Sequence, residues 1–405
     1  MTTPTRPTPL TEGIIAAKVP SRGSASRAQP DVLDLAERVL LASSRAHPAD
    51  GVLRVELRKQ HGLSQEEAAR ITRAVFAYFR WLGWLNKERP TRQRIEHALD
   101  LAERYDAHPE SFSDAELIER AVPDWLASVM EPTAAWVRSL QQEPRLWLRT
   151  RRGQGRAVAA KLGHCRAYGE GPLADALEYL GRSDLFRTEE FHAGEFELQD
   201  ISSQAVGLIC NPQPGEKWWD ACAGEGGKTL HLAALMQNQG SIWASDRAAW
   251  RLANLKRRAA RARVFNYRAV AWNGGPRLPT RTSFDGVLVD APCSGVGTWH
   301  RNPHARWTTT PQDVRELSQV QTDLLTHAAA GVKPGGRLIY AACTLTGSES
   351  SGVVKAFEEK LPQFERQSIH NPLLPGSPSR EMLLLWPQDT SGNGMCVASW
   401  VNRLG

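Results

Sequence analysis

Residues Trp218–Lys228 read WWDACAGEGGK, and the fold is decided there. Two bulky apolar residues run into an acid, then into small residues and glycines. Such a run is a buried parallel strand that ends in a tight turn and feeds a helix. Thr229–Met236, TLHLAALM, gives that helix an apolar stripe. Glycine lets a backbone approach a ligand that a Cβ would block, and the first free N–H groups of the helix point toward it. Ser241–Asp246, SIWASD, is a second apolar strand. It ends on an acid about twenty residues past the glycines, where two ribose hydroxyls would be bound. Any nucleotide-binding βαβ unit shares these features, so the chemistry must come from the rest of the chain.

Phe284–Asp290, FDGVLVD, is a third buried strand, nearly continuous in apolar residues as parallel strands are. Lys333–Gly336 is a turn, and Arg337–Cys343, RLIYAAC, is another strand. Strands alternating with helices predict an α/β, doubly wound, Rossmann-like sheet with its site at the carboxyl strand ends. Cys293, just past one strand, and Cys343, at the tip of another, then face the same crevice as the glycine loop. Either cysteine alone reads as a small buried hydrophobe. Methyl transfer to carbon 5 of a cytosine explains both. A thiolate, the reactive form of cysteine, adds to carbon 6 and pushes electron density onto carbon 5, which then takes a methyl group from S-adenosyl-L-methionine. Covalent catalysis of this kind splits one hard step into easier ones. An acid near ring nitrogen 3 stabilises the charge of the adduct, and Asp290 is the candidate. A second cysteine assists the release.

The 405 residues suit two or three domains. No apolar run approaches the roughly 20 residues of a membrane span. The six cysteines are scattered with no C-x-x-C pair, which argues against zinc and against a disulfide framework. Reduced thiols suggest the cytosol. The formal charge is +6. Its basic residues cluster at 54–59, 70–94, 145–156 and 247–268, which suits a polyanion such as RNA as well as solvated helix faces.

Residues 1–30, rich in Ser, Thr, Pro and Arg, read as a disordered tail, with an organellar transit peptide as the alternative. Residues 31–125 read as helices. Ser64 and Glu67 form a capping box, and Ala68, Ile71, Val75, Phe79 and Leu82 follow on one face. Tyr78, Trp81 and Trp84 among arginines suit stacking on bases or, equally, a helical core. Residues 126–195 predict a small α+β module, with a strand at Leu146–Arg149, a basic run from Arg149 to Arg156 where RNA enters, a helix over 157–163, and a strand-rich stretch over 183–196. The catalytic domain is placed at 196–405, and no further domain is expected after it.

The segment from Phe196 to about Val354 resembles the Sun-type RNA cytosine-5 methyltransferases. The resemblance is carried by LQDISSQ, PGEKWWDACAGEGGKT, FDGVLVDAPCSGVGTWHRNPHARW, Gln321–Leu325 and VKPGGRLIYAACTLTGSES. The helical N-terminal region is more weakly similar to the NusB-like RNA-binding domain of the ribosomal RNA members. The resemblance implies a class I methyltransferase fold, with Cys343 as nucleophile and Cys293 as the release cysteine. It implies that Cys222, Ala223, Gly224, Glu225, Gly226, Gly227, Lys228, Asp246 and Asp290 line the S-adenosyl-L-methionine pocket, with Arg251 near it. It further implies an RNA substrate, ribosomal RNA in particular; the chain is expected to act as a monomer in the cytoplasm, with no metal and no membrane.

Four positions depart from the family pattern. Glu225 replaces the usual Pro, Ala342 the usual Thr, and only Glu349 remains of an acidic pair after Cys343. The adenine-side acid is absent from Ala271–Gly274, where Asn273 is the best substitute. These departures motivate a rival reading: an RNA-binding ribosome assembly factor on a degenerate methyltransferase fold.

Overall fold

The computed structural model describes residues 31–60 and 62–403, so the expected tail at 1–30 lies outside the described residues. Helices fill residues 32–141. The Gln65–Arg80 helix starts on the Ser64–Glu67 capping box, which satisfies two of its orphan N–H groups reciprocally. The aromatic residues of this region are core. Trp81 is fully buried and stacks edge-on against Trp84 and Tyr105, Tyr78 is buried, and so is Arg80. Burial takes Trp81 and Tyr78 away from base stacking.

A four-stranded antiparallel sheet follows, formed by β1 (Leu146–Thr150), β2 (Cys165–Ala167), β3 (Ala176–Tyr179) and β4 (Phe196–Leu198) in the order β2-β3-β1-β4. The stretch expected to be strand-rich is instead a 3-10 turn at Leu185–Arg187 and a short helix at Glu189–His192. The Asp184 carboxylate accepts from the Phe186 N–H and the Thr188 hydroxyl from the Phe191 N–H, and such local caps compete with strand pairing. Phe196–Leu198, assigned from sequence to the catalytic segment, pairs with Leu148–Thr150 in this small sheet.

The larger sheet contains β5 (Lys217–Asp220), β6 (Ser241–Asp246), β7 (Tyr267–Ala271), β8 (Phe284–Asp290), β9 (Val332–Ala342), β10 (Phe364–Gln367), β11 (Met382–Leu385) and β12 (Met395–Asn402). Its order is β10-β12-β9-β8-β5-β6-β7, with β11 paired to β12. Strands β5 to β9 run parallel, and β10 to β12 add antiparallel pairs at one side. This is the Rossmann-like class I methyltransferase architecture. Helices cover both faces, which is why the adjacent Trp218 and Trp219 are both fully buried, on opposite faces. Gly286 on β8 leaves room for the Trp218 ring; a Cβ there would sit 2.4 Å from it. The chain order reverses between β5 and β8, so a crevice opens at their carboxyl ends.

Candidate active site

On the β5–β6 side the crevice is built from backbone. Gly224 and Gly226 have φ of +53° and +88°, values that side-chain-bearing residues rarely adopt. A Cβ on Gly226 would meet the Leu255 side chain at 2.7 Å, whereas one on Gly224 or Gly227 would enter open space. The open side is where a ligand can approach. Asp246, buried at the tip of β6, accepts from the Gly224 N–H at 3.0 Å and from the Ala248 N–H at 2.8 Å. Ala223 donates to the Ser245 carbonyl. The loop and the acid are therefore one unit. Arg251 lies 3.8 Å from the Asp246 carboxylate. Cys222 is half-buried, and burial pushes its thiol well up.

Glu225 is exposed, and its carboxylate accepts from Asn254 Nδ2 at 3.0 Å on the helix Ala249–Ala262. Asn273 stands just beyond β7, exposed, with its side-chain oxygen accepting from the Gly275 N–H. The neighbouring Trp272 is buried against Trp219.

Lys228 occupies the first turn of the helix Gly227–Leu235, where the helix dipole disfavours a cation. The Asp290 carboxylate, at the end of β8, compensates at 2.6 Å. Burial opposes the Lys228 charge, but Asp290 and the Cys343 sulfur outweigh it and raise its pKa. Asp220, at the end of β5, is fully buried, and burial lifts its carboxyl to about 7 against the opposing hydrogen bond from Thr229. Read from sequence, Asp220 was only the acid that ends a strand. Its signal was the same WWD run.

Strands β8 and β9 are paired neighbours, with Asp290 opposite Ala341. Their ends thus bring Cys293 and Cys343 side by side. The Cys343 sulfur beside it, together with burial, raises the Cys293 thiol well above its ordinary range. The Gly297 N–H donates to the Cys343 carbonyl at 3.1 Å, linking the loop after β8 to the tip of β9.

The basic run of the small module divides. Arg149 is buried, its Nε donating to Gln199 at 2.6 Å, and burial lowers its pKa to about 10. Arg152 and Arg156 are exposed. Arg149 and Arg152 border two cavities of about 250 and 1190 Å³ against the helix Gly227–Leu235, and Arg156 borders the larger one. Neither cysteine of the pair, nor Lys228 or Asp246, lines these cavities.

The donor set of the crevice fits the S-adenosyl-L-methionine implied by the resemblance. Asp246 has acceptor capacity beyond its two N–H partners, the glycine loop leaves open space, and Lys228 with Asp290 places paired charge in the same crevice. Among the described residues no helix is long and apolar enough to cross a membrane.

Residues 207–401 match the family model described as 16S rRNA methyltransferase RsmB/F. The chain is 37% identical over 252 residues to the probable ribosomal RNA small subunit methyltransferase B of Synechocystis, covering 58% of this chain and 56% of that protein. It is 30% identical over 301 residues to the ribosomal RNA small subunit methyltransferase B of Klebsiella pneumoniae, covering 69% and 66%. The aligned part thus spans between about half and two thirds of these curated relatives' length. Among solved structures, PH0851 superposes with a TM-score of 0.74 at 21% identity, covering 91% of this chain and 97% of that one. NSun6 from Pyrococcus horikoshii, solved with SFG, gives 0.59 at 17% identity, covering 67% and 94%. These two likenesses bear on the fold. On the family model and the sequence relatives, the chain belongs to the Sun-type family of RNA methyltransferases.

Proposed function

We propose that this chain methylates carbon 5 of cytosine in ribosomal RNA, using S-adenosyl-L-methionine and a covalent cysteine adduct. The observation that carries the reading is the pairing of Cys293 and Cys343 at adjacent strand ends, beside the Lys228–Asp290 ion pair. When bound, the cofactor supplies an electrophilic methyl group. Gly224, Gly226, Asp246 and Lys228 would hold it in the crevice, with Arg251 beside Asp246. Glu225 bonds outward to Asn254, so its charge does not count against binding, and the rival reading as a degenerate fold loses one of its motives.

The Cys343 sulfur forms a bond to carbon 6 of the base, and the displaced π electrons collect on carbon 5, which takes the methyl group. Asp290, held by Lys228, would accept from the exocyclic amine of the base, and the Lys228 cation beside it offsets the negative charge that collects on the ring. The carbon-5 proton then passes to water in the open crevice, and the electron pair of that bond restores the carbon 5–carbon 6 double bond as the carbon 6–sulfur bond breaks and Cys343 departs as a thiolate. Cys293, kept as a thiol by its surroundings, is placed to assist that release. The helical region, read as NusB-like, and the small module deliver the RNA, and the exposed Arg152 and Arg156 contact its phosphates. The monomer is the acting unit, in the cytoplasm.

The direct test is incubation of the purified chain with tritiated S-adenosyl-L-methionine and 16S rRNA, followed by nucleoside digestion. Label in 5-methylcytidine, lost in Asp246→Ala, is the expected result. Cofactor binding by calorimetry without transfer to any RNA would favour the assembly-factor reading.

A further inference from the structure

We propose that Glu349 is a positioning residue that ties the loop carrying Cys293 to the strand end carrying Cys343. The proposal rests on the cysteine chemistry above and adds to it the element that fixes the distance between the two sulfurs.

Glu349 is fully buried. Its Oε1 accepts from the Ser294 N–H at 2.8 Å and from Gln321 Nε2 at 2.9 Å. Its Oε2 accepts from the hydroxyls of Ser294, Thr344 and Thr346. A carboxylate offers about four lone-pair sites, so its acceptor capacity is fully used. Ser294 adjoins Cys293 in the chain, and Thr344 adjoins Cys343. Gln321 also donates to the Pro292 carbonyl at 2.9 Å, on the other side of Cys293. One carboxylate thus holds both flanks of Cys293 and the following flank of Cys343 within two bonds' reach. The backbone of Glu349 is fixed in turn, because the Tyr340 hydroxyl donates to its carbonyl at 2.6 Å.

All these donors are neutral. Burying a carboxylate against neutral groups carries a desolvation cost that a polar but uncharged residue would avoid. The position therefore supplies reach and charge together. Neutral donors brought in from 294, 321, 344 and 346 converge only if a full acceptor sits at their centre. The charge also acts on Cys293, since Glu349 is among the groups that hold its thiol protonated. That is the form suited to follow attack by Cys343, not to compete with it.

The test uses Glu349→Gln, which keeps size and shape and removes the charge and one acceptor. The first readout needs no RNA: the pH profile of alkylation of Cys293 by iodoacetamide, followed on its peptide by mass spectrometry. Removing the nearby negative charge favours the thiolate, so the profile should move to lower pH. Superimposable profiles in the folded variant would overturn the proposal. The second readout is the rate at which a denaturation-stable adduct forms on 5-fluorocytidine-substituted 16S rRNA, in Cys293→Ala with and without Glu349→Gln. A misplaced sulfur should slow adduct formation about 10- to 100-fold, with RNA affinity changed less than twofold. Equal rates would also overturn it. If Cys293→Ala alone forms no adduct, the cysteine assignment fails instead, and the alkylation profile still decides the role of Glu349. Should Glu349→Gln not fold, Ser294→Ala removes one hydroxyl tie alone and should slow adduct formation several-fold at unchanged RNA affinity, while an unchanged rate there counts against the proposal.

Discussion

The Arg306 guanidinium donates to the Leu140 carbonyl at 3.0 Å, across the seam between the helical region and the large-sheet domain. It also donates to the carbonyls of Ala121 at 2.8 Å and Arg80 at 3.4 Å. Trp307 reaches the Phe79 carbonyl, and Trp299 packs against Trp125 and Trp136. The segment from Val296 to Trp307 follows the Cys293 loop directly. The helical region therefore clamps the chain that leaves the candidate active site.

Arg306→Met should be strongly destabilising. Arg306 is fully buried, and burial lowers its pKa to about 9. Its charge is borne only because three backbone carbonyls receive it, and each carbonyl left unsatisfied costs about 1–3 kcal/mol. Allowing for relief of the buried charge, a net loss of about 2–4 kcal/mol is expected from urea unfolding. A loss under about 0.5 kcal/mol would mean that the seam is held by its tryptophans alone.

The Lys228–Asp290 pair predicts a particular pH dependence. The folded pKa of Lys228 is raised, so its contribution is complete below its unfolded value and is lost only as pH rises through the folded one. The difference in stability between wild type and Lys228→Met should therefore stay flat from pH 7 to 10. Asp290 is one quarter exposed, which screens the pair, so about 1–3 kcal/mol is expected. A difference that shrinks by pH 9 would contradict the assignment.

Asp220 should behave in the opposite window. Burial raises its folded pKa to about 7 from an ordinary value of 3.8. A raised value gives stability that is full below pH 4 and lost as pH climbs toward 7. Asp220→Asn keeps an acceptor for Thr229 and escapes this loss. Relative to wild type, the variant should gain on the order of 3–4 kcal/mol between pH 4.5 and pH 8 in denaturant titrations. Parallel curves for the two proteins would show that Asp220 stays ionised.

Asp246→Ala tests the cofactor side. The residue both faces the crevice and fixes Gly224, so its loss removes a charged acceptor and loosens the loop. Affinity for S-adenosyl-L-methionine should fall roughly ten- to a hundredfold by calorimetry. Unchanged affinity would remove Asp246 from the ribose.

The strands that build the crevice were legible because parallel strands buried on both faces are locally apolar: WWD, SIWASD, FDGVLVD and RLIYAAC announce themselves. The glycines and the Ser64 capping box are equally local. What escaped was non-local. Trp81 and Arg80 look like a basic aromatic surface until the helices close over them. Arg149 counts as one more cation in a basic run, yet both faces of β1 are covered and it is buried against Gln199. The stretch at 183–196 is apolar enough for a strand, but two side-chain caps decide it. Glu349 appeared only as the remnant of an acidic pair, because Ser294 and Gln321, which complete its bonding, come from distant segments.

The two cysteines should separate by variant. Cys343→Ala should abolish methylation and form no covalent RNA adduct, since no sulfur is left to attack carbon 6. Cys293→Ala should still attack and transfer, then stall, accumulating an adduct that survives denaturing electrophoresis. The asymmetry follows from the order of events: adduct formation needs only the nucleophile, while resolution needs the helper. The surroundings favour the same order. The neighbouring Cys343, burial and Glu349 hold the Cys293 thiol protonated, whereas Cys343 lies within the electrostatic reach of the buried Lys228 cation. Attack from Cys293 is the arrangement of DNA cytosine-5 methyltransferases, which use a Pro-Cys motif, and Pro292–Cys293 provides one here. It would leave Cys343 without a role in the covalent scheme. A trapped adduct in Cys343→Ala but not in Cys293→Ala would reverse the assignment.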